Sequence, residues 1–161
     1  MKDLTVVVPC YNDEGILPEL HKRLRGVLDA AGLAYDILLV NDGSPDNTWS
    51  TIQKLHAADP QRVRGINLSR NFGHQIAVTC GLDHTDSKAV VVMDSDLQDP
   101  PEFLPRLIAK WKEGYDVVSA VRASRDNEPF LKSLTAGMFY WMLNKLSPIP
   151  ITRQAGDFRL M

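Results

Sequence analysis

Short apolar runs alternate with stretches of helical spacing along the chain. Leu4 to Val8 reads as a strand ending at Pro9, and Tyr35 to Val40, Val63 to Leu68, Ala89 to Met93 and Asp116 to Val121 read as four more. Between them, Ile16, Leu17, Leu20, Leu24, Val27, Leu28 and Ala31 recur at the spacing of one helix face, with Gly32 placed to end the helix. Helices are also predicted over 46–58, 72–84, 101–114 and 131–146, the last carrying Phe139-Tyr140-Trp141. Asp99 is placed to cap the helix over 101–114, before Pro100 and Pro101. Alternating strands and helices predict an α/β fold, a mainly parallel, Rossmann-like sheet flanked by helices.

In such sheets ligands gather beyond the carboxyl ends of the strands. Polar clusters fall at four of those ends: Tyr11-Asn12-Asp13, Asn41-Asp42-Gly43-Ser44, Ser69-Arg70-Asn71 and Asp94-Ser95-Asp96. The last follows an apolar strand directly. In an extended segment Asp94, Asp96 and Gln98 project to one side, and such hard oxygen donors suit Mg²⁺ or Mn²⁺ when a diphosphate completes the shell. A helix-capping turn is the plain alternative. Asp42, just past its strand, is placed to accept from a base N–H, or to shape a turn with Gly43; Asp46 reads as a cap. Tyr11 and Asp13 either contact a nucleoside or close a strand-to-helix loop. Arg70, Arg122, Arg125 and Lys132 are the cations available to a diphosphate, and Arg122 lies just beyond the fifth strand.

Composition narrows the classes. The 161 residues are 44% hydrophobic and 24% charged, which suits an ordinary globular domain. Eighteen Lys and Arg against twenty Asp and Glu give a net charge of −2, which argues against nucleic acid as a partner. Cys10 and Cys80 are too few for a disulfide framework, and no Cys/His cluster suggests zinc. His21, His56, His74 and His84 show no ligand spacing. There is no GxGxxG, no phosphate-binding GxxxxGK[ST] and no GxSxG elbow. No apolar stretch is long enough to span a bilayer.

Taken together, Val8-Pro9-Cys10-Tyr11-Asn12, Asn41-Asp42-Gly43-Ser44, Leu68-Ser69-Arg70-Asn71-Phe72-Gly73, the stretch from Met93 to Pro101 and Gly156-Asp157-Phe158-Arg159-Leu160-Met161 resemble the inverting family 2 glycosyltransferases of GT-A fold. The likeness covers essentially the whole chain and is strongest to the polyprenyl-phosphate branch, which includes bactoprenol glucosyltransferases and dolichol-phosphate mannose synthases. It implies a single GT-A catalytic domain over 1–161 that transfers a hexose, glucose from UDP-glucose, onto undecaprenyl phosphate. It implies that Asp42 reads the base and that Pro9, Tyr11 and Asp13 line the nucleoside site. Asp94, Asp96 and Gln98 would hold Mg²⁺ or Mn²⁺, with Asp94 also reaching the nucleotide and Asp96 the reaction. Arg122 and Lys132 would meet phosphate, and Asp157 would sit at the reacting centre, positioning more than abstracting a proton. Members of the branch often carry Glu where this chain has Asp13, Asp where it has Asn41 and Ala where it has Ser95.

Family members of this branch continue into an amphipathic helix and two membrane-spanning helices. The resemblance therefore implies a catalytic domain truncated at its C-terminal end, whose full-length form sits at the cytoplasmic face of the inner membrane while the 161 residues are soluble. The oligomeric state stays open, a homo-oligomer included. Three rival readings remain: a GT-A enzyme with a soluble sugar acceptor in polysaccharide synthesis, a non-catalytic nucleotide-sugar binding module, and a nucleotidyltransferase, which would need a Gly-rich phosphate loop that this chain lacks.

Overall fold

A computed structural model describes residues 1–121 and 155–161, with side chains described from Phe158 onward in the second stretch. Its centre is β1 (Leu4–Cys10), buried at all seven positions. β1 pairs in parallel with β2 (Tyr35–Asn41), equally buried, and with β4 (Ala89–Val92). Parallel strands covered on both faces are mostly apolar, which is why Val6 to Val8 and Ile37 to Val40 run without alternation. β2 pairs in parallel with β3 (Val63–Asn67). β6 (Ala155–Leu160) pairs antiparallel with β4, and the six-stranded sheet has the order β3-β2-β1-β4-β6-β5, where β5 is Val118–Val121. Residues 1–119 and 157–161 form one compact unit and residues 120–156 a second. The first carries all that follows.

Among the described residues four α-helices flank the strands in sequence: α1 (Leu17–Ala31), α2 (Thr48–Ala58), α3 (His74–Asp83) and α4 (Leu104–Lys112). α1 buries Leu17, Leu20, Leu24 and Leu28, and stops where Gly32 turns left-handed (φ 64°). α3 packs tightly on the sheet: a Cβ on Gly81 would stand 2.3 Å from Val7 Cγ1. Ala77 beside it joins Val7, Leu38 and Val40 in the core.

Several element ends differ from expectation, each for a local reason. β1 runs through Pro9 to Cys10. Val7 O accepts from Met93 N on the β4 side and Cys10 O accepts from Asp42 N on the β2 side. Pro9 therefore turns its missing N–H toward β4 beyond that strand's last residue, and no ladder bond is lost. The helix predicted from Pro101 divides into a 3-10 turn (Pro101–Phe103) and α4, because Pro105 cannot donate and its ring crowds the carbonyl four residues back. Pro100 stands at the N-cap of that turn, with Asp99 buried one residue before it. α3 begins at His74 because Gly73 has φ 98° and the Phe72 and Gly73 amides are drawn elsewhere. β6 was not expected as a strand at all. The helix expected over 131–146 lies outside the described residues.

Candidate active site

The carboxyl ends of β1, β2 and β4 open on a cleft of about 410 Å³. Pro9, Tyr11, Asp13, Asp42, Asp94 and Asp96 line it, so six residues expected at the site from sequence stand together. Gln98 is exposed and is not in the lining. The segment after β4 is not extended, as alternation required. It is a turn in which Leu97 is left-handed (φ 60°) and Gln98 N donates to Asp96 Oδ1 at 2.9 Å. Asp94 and Asp96 reach the cleft by way of this turn, and the same turn carries Gln98 aside.

Asp42 is buried, at 3% exposure. Its carboxylate accepts Phe72 N at 2.8 Å through Oδ1 and Gly73 N at 2.9 Å through Oδ2. Each oxygen has a second lone pair, so one carboxylate can hold this loop and still accept from a ligand. Gly43 follows with φ 63°, and a Cβ there would lie 2.2 Å from the Arg70 carbonyl carbon. The loop after β3 is thus pressed against the loop after β2, with the Arg70 guanidinium over the Phe72 ring at 4.2 Å.

The loop after β1 is tied as firmly. Asn12 is left-handed (φ 60°) and donates its amide to Ser44 Oγ, which donates to Asn41 Oδ1 at 2.6 Å. Asn41 Nδ2 donates to Asn67 Oδ1. Asp13 N donates to Thr48 Oγ1 at 2.8 Å, and Asp13 Oδ2 accepts from both Tyr11 N and Ser95 Oγ at 2.7 Å. Asp46 Oδ1 accepts from Thr48 N, the first residue of α2, while Asn47 stands at the N-cap and makes no side-chain cap bond. Burial, reinforced by the charge of Asp13, pushes the Cys10 thiol well above its usual value, so Cys10 stays protonated at the cleft wall.

His74 and Asn71 also line the cleft, and sequence reasoning had not singled out His74. Its Nε2 lies 3.7 Å from Asp94 Oδ1. Screening histidines by ligand spacing could not pair positions 74 and 94; the available signal was that His74 follows the polar cluster after β3. The β4–β6 register sets Arg159 opposite Val92, so the backbone of Asp157 comes two residues further, at the same sheet edge as Asp94. Arg122 and Lys132 lie outside the described residues. Among the described residues there is no group of three or more His, Cys, Asp or Glu able to enclose a metal, and no helix is long and apolar enough to cross a membrane.

The family model for glycosyl transferase family 2 matches residues 5–161. The chain belongs to this family. An "uncharacterized glycosyltransferase YkcC" of Bacillus subtilis is 49% identical over 157 residues, covering 98% of this chain and 48% of that protein. The bactoprenol glucosyl transferase of Shigella phage SfX is 43% identical, covering 98% and 52%. The chain thus spans about half the length of these relatives. Glucosyl-3-phosphoglycerate synthase from Mycobacterium tuberculosis, solved with Mn²⁺, UDP and phosphoglyceric acid, superposes at a TM-score of 0.67 with 22% identity, covering 99% of this chain and 55% of that one. The GT-A fold expected from the motifs is therefore the fold of this family 2 chain.

Proposed function

We propose that the cleft binds a nucleoside-diphosphate sugar with a divalent metal, and that the protein of which this chain is the GT-A domain transfers glucose from UDP-glucose onto undecaprenyl phosphate with inversion. The observation that carries this is the placing of Asp94 and Asp96, at the open end of a buried strand, in one cleft with Asp42 and Tyr11. The similarity to a bactoprenol glucosyl transferase supports glucose and the lipid acceptor.

The donor set fits a hard cation. Two carboxylates from a turn, with no third acidic or imidazole ligand among the described residues, leave most of a six-oxygen shell to phosphate and water, the pattern of Mg²⁺ or Mn²⁺ bound with a diphosphate. Asp94 and Asp96 would hold the metal; Gln98, the third ligand implied by the family likeness, stands outside the cleft lining. When bound, the metal offsets charge developing on the leaving diphosphate. Tyr11, 45% exposed, offers a ring for base stacking. Asp42 accepts from the base. Arg122 and Lys132 meet phosphate, and Arg122→Ala is expected to weaken UDP-glucose binding far more than uridine binding. The acceptor phosphate is already anionic at neutral pH, so Asp157 positions it and need not take a proton. The full-length protein works at the cytoplasmic membrane face, on a lipid acceptor.

Thermal-shift titration with UDP- and GDP-sugars, with and without Mn²⁺, tests the reading, because a ligand that binds only the native state raises its melting temperature. Asp94→Asn and Asp96→Asn are each expected to abolish the Mn²⁺-dependent part of the shift. Unchanged shifts in both variants would remove the metal assignment.

A further inference from the structure

We propose that Ser95 is a positioning residue whose hydroxyl, bonded to the Asp13 carboxylate, locks the loop bearing Asp94 and Asp96 to the loop bearing Tyr11, so that metal and nucleoside are gripped cooperatively. This rests on the reading of the cleft given above.

Ser95 stands between the two cleft carboxylates. It is buried, at 8% exposure, while Asp94 is half-buried and Asp96 exposed. Its Oγ lies 2.7 Å from Asp13 Oδ2, a bond that joins positions 82 residues apart. The acceptor is a carboxylate oxygen, which places the bond in the stronger class. The same oxygen accepts the Tyr11 amide, so one atom fixes the backbone of the base-stacking residue and the side chain between the metal ligands.

Asp13 is anchored in its turn. Its amide is held by Thr48 Oγ1, and the preceding amide, of Asn12, by Ser44 Oγ. The loops after β1, β2 and β4 therefore meet at this residue. On this account Asp13 is a strut first and a nucleoside contact second. Within the 94–98 turn, Gln98 N donates to Asp96 Oδ1, a bond local to the turn, whereas the Ser95 bond reaches across to the loop after β1. Sites work when their ligating groups are held by such supporting bonds to within a fraction of an ångström. The strut has a thermodynamic signature: metal and nucleotide each strengthen the other's binding, by the same factor, and that factor depends on the hydroxyl.

The experiment measures UDP affinity by calorimetry with and without Mn²⁺. In Ser95→Ala the metal-free affinity is expected to stay within about twofold of the parent chain, while the Mn²⁺ enhancement falls by roughly fivefold or more. Asp13→Ala removes the other end of the bond and reports the same loss should Ser95→Ala fail to fold. The double variant is expected to lose no more enhancement than Asp13→Ala alone, since both changes break one bond. In metal-free Ser95→Ala, amide hydrogen exchange is expected to quicken across 94–98 and to stay unchanged in β1. An enhancement unchanged in Ser95→Ala, or losses that simply multiply in the double variant, overturns the strut. If the parent chain shows no Mn²⁺ enhancement, the reading of the cleft fails, and the strut falls with it.

Discussion

Asp42 shows how one side chain serves fold and site together. Its carboxylate holds the Phe72 and Gly73 amides, so Asp42→Ala leaves two donors without their acceptor. With hydrogen bonds to charged groups contributing about 1.5–3 kcal/mol each, a stability loss of about 2 kcal/mol or more is expected in chemical denaturation. Nucleotide affinity should fall in the same variant, and discrimination between UDP and GDP should erode. Gly43→Ala makes the matching test. A methyl group aimed at the Arg70 backbone from a left-handed residue must displace the loop, so both melting temperature and UDP affinity are expected to drop. The sequence marked Asp42 and Gly43 by position, since both follow a buried strand. It could not show that they grip a loop some thirty residues further on, because no local pattern records a bond of that span. Asp13 and Ser95 likewise stood out as two separate small departures from the family pattern, and only the fold brings them within hydrogen-bond distance.

At the scale of elements, legibility followed the kind of force at work. Hydrophobic periodicity identified α1 and its left-handed Gly32 stop, and unbroken apolar runs identified β1, β2 and β4. What periodicity misplaced were ends decided by single hydrogen bonds: β1 passing through Pro9, α3 waiting for His74, α4 starting late at Leu104. The turn after β4 belongs with these, since one left-handed residue carried Gln98 out of the cleft lining. On α1, His21 Nε2 is buried and has no hydrogen-bond partner among the described residues. Burial, aided by Arg25 and opposed by Asp59, holds its pKa below the ordinary histidine value. The native state therefore favours the neutral ring. That contribution is complete above the unfolded value of about 6.5 and is lost as pH falls through the lower folded value. His21→Leu is expected to remove this loss. Its melting temperature, measured from about pH 8 down to about pH 5, should decline less steeply than that of the parent chain.

At the scale of the molecule, the sheet is completed by a strand from the far end of the chain. The stretch from Gly156 to Met161 carried a family motif, and its alternation of Phe158 and Leu160 with Asp157 and Arg159 is too short to mark a strand by itself. Alternation of that kind marks a strand only when its partner is known, and the partner, β4, is more than sixty residues earlier. The pairing is anchored at one end by reciprocal bonds between Val90 and Met161, and at the other by Phe158. Phe158 is 2% exposed and its ring lies 6.4 Å from that of Phe103, just beyond the turn that follows β4. One buried ring therefore supports both β6 and the segment leading from the Asp94–Asp96 turn into α4. Phe158→Ala removes that support and is expected to cost about 3–5 kcal/mol, read as a lower denaturation midpoint. The loss should not be confined to stability. At temperatures where the variant remains folded, Mn²⁺-dependent UDP binding is expected to weaken while metal-free binding changes little, since the ring meets Phe103 on the segment that follows the carboxylate turn. A fall in both alike would show that β6 holds up the whole sheet and has no particular bearing on the turn that carries the carboxylates.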